Sequence, residues 1–321
     1  MRISVALCTF NGARFVAEQV RSILEQSPAP DQLVVADDGS DDGTVEVVRR
    51  IADGRAIVLD GDHAAPLGVT ANFERALAAT DGDIVALSDQ DDVWHGGRLA
   101  ALAERFAADP GLTLVHTDAD LIDDAGAPLG RTLFDSLEVQ PHELAAERSG
   151  RAFDAFLRRN LATGATVVLR RSLLELARPF PESWVHDEWL AIVAAAVGRV
   201  DVVSSATIDY RIHAGNQIGV AEPTFVRKLQ RVLEPRADRN RQLSVRFRTL
   251  VERLEALGDA VPAEYLQAAR AKSQFETRRA GFPPGRLRRA VPVLRLAVTG
   301  RYGRFASRGR ADILRDLLQP A

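Results

Sequence analysis

Residues 83–95 read DIVALSDQDDVWH, and the interpretation of the whole chain starts from this stretch. An apolar run, 84–87, is short enough for a buried strand and is followed directly by three carboxylates, Asp89, Asp91 and Asp92. Carboxylates crowded at the end of an interior strand repel one another and lose hydration, so a cation is expected to join them. Asp89 and Asp91 could share Mg²⁺ or Mn²⁺ that keeps positions for diphosphate oxygens. The alternative, an acidic turn with Asp92 capping the next helix, is the commoner origin of a lone D-x-D.

The composition is that of an ordinary globular protein, with 46% hydrophobic and 26% charged residues in a chain of 321. This length predicts one large domain or two smaller ones. The single cysteine, Cys8, excludes a disulfide framework or a thiolate metal cluster, and it favours a reducing, cytoplasmic setting. No stretch approaches ~20 uninterrupted apolar residues, and the N-terminus lacks a signal-like apolar region. We therefore expect a protein that is neither exported nor membrane-spanning.

Strand-like apolar runs at 3–9, 32–36, 56–59 and 84–87 alternate with segments of helical periodicity. Later strands are predicted at 112–116, 164–169 and 207–212, whereas residues 131–150 are weakly patterned and form either a mobile loop over the site or an irregular surface loop. The alternation of strands and helices predicts right-handed crossovers and a mostly parallel sheet, hence an α/β fold. Ligands of such sheets bind beyond the carboxyl ends of the strands, so the acidic segments 37–44 and 89–92 should share one rim. The chain contains neither G-x-G-x-x-G nor a Walker A sequence, which argues against a dehydrogenase and leaves a metal to hold phosphates.

A further acid, Asp187, lies in PESWVHDEWL at a predicted helix start. Helix capping alone would be a sufficient structural reason for an acid there. His186 is interpreted as a residue that orients the helix start. Trp184 is either a core residue or, beside the acid, a surface on which a sugar ring could stack.

Charge divides the chain into two parts. Residues 1–220 hold 19 basic and 34 acidic residues, a net of −15, whereas residues 221–321 hold 22 basic and 10 acidic, a net of +12. We predict a catalytic domain over 1–220 and a helical, Arg-rich C-terminal region over 221–321. Helical spacing with Arg-rich outer faces is present at 225–233, 239–257 and 265–275. Between Glu276 and Asp312 there is no acid, and ten arginines are interleaved with aliphatic and aromatic residues: Arg278, Arg279, Arg286, Arg288, Arg289, Arg295, Arg301, Arg304, Arg308 and Arg310.

That composition suits an anionic membrane surface, and a solvated basic face is an equally good explanation of the charge alone. Nucleic acid would fit the charge, but no reading motif or stacking platform accompanies it. We therefore expect no nucleic-acid partner. If the membrane interpretation holds, the protein would be peripheral at the inner face of the plasma membrane.

Five stretches in order, SVALCTFNGARF, LVVADDGSDDGT, ALSDQDDVW, WVHDEWLAIVAAAVG and YRIHAGNQIG, resemble the inverting GT-A glycosyltransferases, in particular the bacterial rhamnosyltransferase-like branch. The resemblance covers residues 1 to about 220. It implies a GT-A-like nucleotide-sugar-binding domain with a mostly parallel sheet, to which the helical basic extension is added. One departure is visible: Pro66-Leu67-Gly68 stands where that branch usually has Asn-x-Gly, so a donor contact from that Asn is missing.

The resemblance also implies residue roles. Cys8 and Phe10 would flank the nucleotide base, and Asp38 would accept a hydrogen bond from N3–H of uracil or thymine. Asp89 would lie near the ribose. Asp91 would ligate the divalent metal, and Asp187 would be the catalytic base. His213 is similar to the histidine that completes the metal or diphosphate site in many such enzymes.

The predicted function is metal-dependent, inverting transfer of a sugar, L-rhamnose being one candidate, from a UDP- or dTDP-linked donor to a surface polysaccharide or lipid-linked glycan. Such transfer needs one base for the acceptor hydroxyl and a neutralised leaving diphosphate. The alternative is a catalytically silent sugar-nucleotide-binding or scaffold protein of the same fold, against which the joint presence of three acids argues. A nucleotidyltransferase would need a Gly-rich, basic loop after the first strand, and TFNGARF is not one.

Overall fold

The computed structural model describes residues 1–61, 65–213 and 239–319, and it divides into two compact units. Unit 1 comprises Met1–Ala152 and Leu161–Val220, and unit 2 comprises Phe153–Asn160 and Ala221–Ala321. The boundary predicted between residues 220 and 221, and the helix predicted at 225–233, lie outside the described residues.

Unit 1 is built from strands and helices that alternate along the chain. Its strands are β1 Ile3–Thr9, β2 Gln32–Asp37, β3 Ala56–Leu59, β4 Ile84–Ser88, β5 Val93–Trp94, β6 Leu112–Ile122, β7 Pro128–Thr132, β8 Val168–Arg170 and β9 Arg199–Arg211. Its helices are α1 Val16–Leu24, α2 Thr44–Ala52, α3 Val69–Ala78, α4 Arg98–Ala108, α5 Leu133–Ser136, α6 Pro141–Arg148, α8 Leu173–Ala177 and α9 His186–Val197. Helix α7, Ala152–Phe156, begins at the last residue of the segment Met1–Ala152 and belongs to unit 2 from Phe153 onward. Segment 131–150, weakly patterned in the sequence, thus contains α5 and α6 rather than a long irregular loop.

Among the described residues, nine strands form one sheet in the order β3-β2-β1-β4-β8-β6-β9-β5, with β7 paired to β6. Strands β3, β2, β1 and β4 are parallel, as are β6 and β9, whereas β8, β5 and β7 pair antiparallel. The α/β prediction is confirmed, and the sheet is mixed. Strands β1, β2 and β4 are almost fully buried, as expected for parallel strands covered by helices on both faces.

Strand β1 lies between β2 and β4, so the carboxyl ends of these three neighbours form one rim. The register pairs Thr9 with Asp37 and Leu7 with Ser88. The segments that follow the strands, at residues 10–12, 38–43 and 89–92, therefore leave the sheet at the same edge.

Unit 2 is helical beyond residue 238, with α10 Arg239–Ala256, α11 Ala263–Ala280, α12 Arg286–Val298, α13 Arg301–Phe305 and α14 Ala311–Leu318. A core of Phe275, Phe282, Val293, Leu296, Tyr302, Phe305 and Ala306 joins the last four of these helices. Within the described ranges, no helix combines the length and apolar character needed to cross a membrane.

Two of the ten arginines predicted on the outer face of this region are buried. Arg279 is 1% exposed and bonds Asp316 through Nε and Nη2 at 2.7 and 3.0 Å and Glu276 through Nη1 at 2.9 Å. Arg289 is fully buried and donates to the backbone carbonyl of Gln319. A guanidinium can be buried when carboxylates or carbonyls take up its donors, and the sequence did not show that these partners were in reach.

Candidate active site

A pocket of about 420 Å³ opens at the carboxyl-end rim of unit 1. Seven of the eight predicted site residues line it: Cys8, Phe10, Asp38, Asp89, Asp91, Asp187 and His213. The rim is where parallel α/β sheets bind ligands, and a pocket of this size suits a small organic ligand.

The acids that follow β4 are electrostatically coupled. Burial, followed by the charges of the neighbouring Asp91 and Asp187 carboxylates, raises the pKa of Asp89 to about 7. Burial and the charges of Asp91 and Asp89 also hold the pKa of Asp92 well above its usual range. The repulsion expected from the sequence is therefore present, and it extends to an acid almost one hundred residues further along the chain.

His213 meets this cluster at the end of β9. Its Nε2 lies 2.8 Å from Oδ2 of Asp91, and its ring lies 4.9 Å from that of Phe15. The structure thus brings the two predicted metal ligands into contact, although 122 residues separate them.

Asp92 does not cap the next helix, contrary to the alternative interpretation of the acidic turn. Helix α4 begins at Arg98 with Gly97 as its N-cap. Asp92 is 1% exposed, and its Oδ1 accepts from the backbone N–H of Arg211 at 3.1 Å. The Arg211 guanidinium in turn donates to the carbonyl of Asp91 at 2.9 Å and to Glu18 at 2.7 Å. Arg211 is therefore a buried cation beneath the acidic loop, and sequence reasoning missed it.

The end of β1, which leads into Phe10, is held by a second residue that the sequence did not single out. Gln90 accepts from the backbone N–H of Phe10 at 2.8 Å and donates to its carbonyl at 3.0 Å. This pair of bonds ties the end of β1 to the end of β4. A Cβ on Gly12 would lie 2.1 Å from Oε1 of Gln90, so the turn needs glycine there. Burial, followed by the charges of Asp89 and Asp38, raises the pKa of the Cys8 thiol well above its usual range.

Asp38 is 5% exposed, and both of its oxygens accept backbone hydrogen bonds. The donors are the N–H groups of Leu67, at 2.7 Å, and Gly68, at 2.9 Å. The segment that departs from the family pattern, Pro66-Leu67-Gly68, is therefore fastened to the predicted base-binding residue.

Asp187 lies in the first turn of α9, whose N-cap is Val185. Its Oδ1 accepts from the N–H of Glu188 at 2.6 Å and its Oδ2 from the N–H of Gly164 at 3.0 Å. The side chain thus serves the helix start and is also fixed to the segment before β8. These contacts fit an oriented base and a structural acid equally, so its role stays a prediction.

Trp184 is not among the pocket-lining residues of the described chain. It is 5% exposed, and its ring lies 5.6 Å from that of Trp189. The structure places it in the core, which was the first of its two interpretations. His186, interpreted only as a residue of the helix start, lines the pocket.

Two groups of residues offer ligands to a metal. Asp91 and His213 supply an oxygen and a nitrogen in contact, and the raised pKa of Asp89 reflects its burial and the negative charges of Asp91 and Asp187. That donor set fits Mn²⁺ or Mg²⁺. Separately, within the described ranges, His95, Asp120 and Asp209 bring one ligand atom each within 4.8 Å of one another, and His95 already pairs with Asp209 at 2.8 Å.

The parallel rim, the paired acids that follow β4 and the acid at the start of α9 define a GT-A-type α/β glycosyltransferase fold. The chain belongs to glycosyl transferase family 2, whose sequence profile matches residues 4–175. It is therefore a glycosyltransferase, and the enzyme prediction is confirmed at this level.

Individual relatives are distant. The chain is 25% identical over 228 residues to an uncharacterized glycosyltransferase of Nostoc sp., covering 70% of this chain and 69% of that protein. It is 26% identical over 196 residues to the Escherichia coli UDP-Glc:alpha-D-GlcNAc-diphosphoundecaprenol beta-1,3-glucosyltransferase WfgD, covering 60% of this chain and 69% of WfgD. The crystal structure of Staphylococcus aureus TarS 1-349 with UDP-GlcNAc superposes with a TM-score of 0.55 at 17% identity, covering 99% of this chain and 89% of that one. The structural likeness supports the fold, and the rhamnosyltransferase branch stays a prediction.

Proposed function

We propose that this protein transfers a sugar from a nucleoside-diphosphate donor to an acceptor hydroxyl with inversion at the anomeric carbon. The observation that carries the proposal is the convergence of carboxylates from separate segments. Asp89 and Asp91 follow β4, Asp187 lies in the first turn of α9, and all three line one pocket. A family 2 enzyme that inverts needs this separation of a base from a diphosphate site.

Asp187 takes the proton of the acceptor hydroxyl as that oxygen attacks the anomeric carbon. The N–H groups of Gly164 and Glu188 fix its two oxygens, so the carboxylate is oriented before the acceptor arrives. One attack on the face opposite to the diphosphate inverts the centre, so the reaction needs no nucleophilic carboxylate and no glycosyl-enzyme intermediate.

Asp91 and His213 would hold the divalent cation, Mg²⁺ or Mn²⁺. When bound, the cation would supply charge stabilisation of the leaving diphosphate. The charges of the ligand Asp91 and of the base Asp187 both act on Asp89. Asp89 is assigned to the ribose side of the donor. The carboxyl of Asp38 and the β1 end at Cys8 and Phe10 are assigned to the base, which favours UDP- or dTDP-linked donors because uracil and thymine present N3–H.

The test is turnover of a panel of UDP- and dTDP-linked sugars, including dTDP-L-rhamnose, by the purified full chain with Mn²⁺ or Mg²⁺. We expect nucleotide release with at least one donor, loss of that release in chelator, and a product whose anomeric configuration is opposite to the donor's by NMR. Retention of configuration would contradict the assigned mechanism. Full turnover in the presence of chelator would show that the mechanism does not need a metal.

We further propose that the acceptor is lipid-linked and that unit 2 attaches the enzyme to an anionic membrane surface. The name of WfgD specifies a diphosphoundecaprenol acceptor, which supports an acceptor of this kind. In unit 2, helix α12 carries four exposed aliphatic residues on one face, with exposed fractions from 54% to 91%: Leu287, Val291, Leu294 and Val298. At about 100° per residue these positions fall within an arc of roughly 60°.

Basic side chains border this apolar stripe. Arg286, Arg288 and Arg295 are exposed on the same helix, and the opposite face is buried through Val293 and Leu296. An exposed apolar face bordered by arginines is typical of helices that lie in a membrane interface. Two copies meeting face to face would bring like charges together, so the arrangement favours an anionic lipid surface over self-association.

Liposome co-sedimentation of the full chain tests the attachment. Each exposed Arg near an anionic surface contributes about 1 kcal/mol, and burial of an aliphatic side chain about 1.5–3 kcal/mol. The double variant Leu287→Ser/Val298→Ser should therefore lose about 3 kcal/mol, or ~100-fold in partitioning onto anionic liposomes. Val245→Ser, at a 42% exposed position on α10, is the matched control and should bind as the unmodified chain does. If the unmodified chain does not co-sediment with anionic liposomes at low salt, the stripe is a packing or oligomerisation surface instead.

A further inference from the structure

His186 is a buried imidazole on the wall of the pocket. It is 4% exposed, begins α9, and stacks on Phe73 with ring centroids 3.9 Å apart and planes 17° from parallel. The stack fixes the plane of the ring, so its two nitrogens point in directions that the protein sets.

Neither Nδ1 nor Nε2 of His186 has a hydrogen-bond partner among the described residues. Buried side-chain nitrogens are nearly always satisfied in folded proteins, so an unsatisfied pair facing a pocket indicates a partner that binds there. By contrast, the adjacent Asp187 is bonded through both oxygens.

Gly164 packs closely beside this ring. A Cβ at this position would lie 2.8 Å from Nε2 of His186, so any side chain there would crowd that nitrogen. The same residue donates its N–H to Asp187, and it lines the pocket as His186 and Asp187 do. One glycine thus donates to the proposed base and packs against the neighbouring, unsatisfied imidazole nitrogen.

The chemistry of the ring specifies its ligand. Burial lowers the pKa of His186 to about 3, so the imidazole is neutral near pH 7 and offers one donor and one acceptor. The nearby carboxylates of Asp89 and Asp187, when ionised, only accept. A hydroxyl, which both donates and accepts, complements the neutral imidazole, and a nucleotide sugar brings several hydroxyls to the reacting carbon.

We propose that His186 hydrogen-bonds one hydroxyl of the donor sugar and makes transfer selective for sugars that carry it. This inference rests on the proposed function and names a specificity-determining residue for it. The donor rather than the acceptor is assigned because the ring is almost fully enclosed and adjoins the base, which must lie within reach of the anomeric carbon.

The experiment measures kcat/KM for donor hydrolysis in the absence of acceptor, so that only donor hydroxyls can contribute. The unmodified full chain and His186→Phe, which keeps the stack on Phe73 but has no ring nitrogens, are compared on the accepted nucleotide sugar and on its monodeoxy forms. Removal of one partner from a specific hydroxyl contact costs about 10- to 100-fold. We expect His186→Phe to lose that factor on the intact donor and to match the unmodified chain on one monodeoxy donor, the one that lacks the hydroxyl. His186→Gln, which keeps a donor and an acceptor, should recover part of the selectivity.

Val69→Ala alters an apolar wall of the same pocket and should change kcat/KM by the same factor for all donors. If His186→Phe also lowers kcat/KM by the same factor for every donor, or for none, the proposal is overturned. Should that variant fail to fold, the unmodified chain still decides, because it must prefer the intact donor over at least one monodeoxy form by about 10-fold. Equal rates on all forms would overturn the inference while leaving the proposed function in place. Absence of turnover with every nucleotide sugar and metal would overturn both.

Discussion

Replacement of Asp91 by Asn tests the acidic cluster most directly. Asn keeps an oxygen that can accept from His213, whose Nε2 lies 2.8 Å from Oδ2 of Asp91, but it removes one negative charge. That charge is the second cause, after burial and before Asp187, of the raised pKa of Asp89. Without metal, the variant should therefore be more stable than the unmodified chain.

The magnitude follows from Asp89. A pKa raised from 3.8 to about 7 corresponds to roughly 4 kcal/mol opposing ionisation at neutral pH. Burial contributes most of this. Because Asp89 keeps partial exposure to the pocket, we assign Asp91 about 1 kcal/mol. Urea unfolding at neutral pH in chelator should show Asp91→Asn to be more stable by about that amount.

Metal should reverse the order. With UDP and Mn²⁺ at about 100 times the dissociation constant, the unmodified chain should gain about 2.7 kcal/mol, and Asp91→Asn should lose most of this gain. The matched control is Asp120→Asn, which removes a carboxylate from the separate group of His95, Asp120 and Asp209 and should keep the full gain. If Asp120→Asn loses the gain and Asp91→Asn keeps it, the cation binds the other group and the assignment of Asp91 and His213 is wrong.

Three further predictions concern single side chains. Asp187→Asn should lower transfer by at least ~100-fold while donor affinity, measured by calorimetry, stays nearly unchanged; an equal loss of donor binding would indicate a structural acid. The lowered pKa of His186 means that below pH ~6.5 the unfolded chain takes up a proton that the folded chain excludes down to about 3. Between pH 7 and pH 5 the unmodified chain should therefore lose about 2 kcal/mol of unfolding free energy that His186→Phe retains, and identical pH slopes would contradict this. Asp316→Asn should destabilise unit 2 by about 3–5 kcal/mol in urea unfolding because it leaves Arg279 with one carboxylate fewer, whereas Glu255→Gln, in an exposed pair with Arg270, should cost under about 1 kcal/mol.

The parallel half of the sheet was predictable because its strands are buried on both faces and appear as continuous apolar runs. The runs at 3–9 and 56–59 coincide with β1 and β3. Strand β9 was predicted only from residue 207, whereas it begins at Arg199, since its first half, RVDVVSS, mixes polar and apolar residues. Its extent is set by parallel pairing with β6, a partner almost ninety residues away, which no local pattern shows.

The site residues also divide into those whose position the sequence predicted and those that it missed. Acids that end neighbouring strands must meet at one rim, so the position of Asp38, Asp89 and Asp91 followed from topology. Gln90 and Arg211 were missed because their partners, Phe10 and the acidic loop, lie 80 and about 120 residues away. Such contacts depend on the register of β1, β4 and β9 and on rotamers, and an isolated Gln or Arg in a sequence carries no signal of either.

The structure divides the arginines and aliphatic residues of the basic C-terminal region into buried and exposed groups. The sequence interleaves arginines with Val291, Val293, Leu294 and Leu296, and it cannot say which of them the protein uses for itself. Helix α12 buries Val293 and Leu296 and exposes the other two, so the aliphatic residues divide into a core face and an outer face. An outer aliphatic stripe adds nothing to folding stability, because it is exposed in both the folded and the unfolded chain, and it is a liability for aggregation. Arg279 and Arg289 are buried inside unit 2, whereas Arg286, Arg288 and Arg295 are exposed and border the stripe. The membrane proposal therefore depends on the position of three arginines beside an exposed apolar face, and the net charge of the tail could be reduced elsewhere without weakening it.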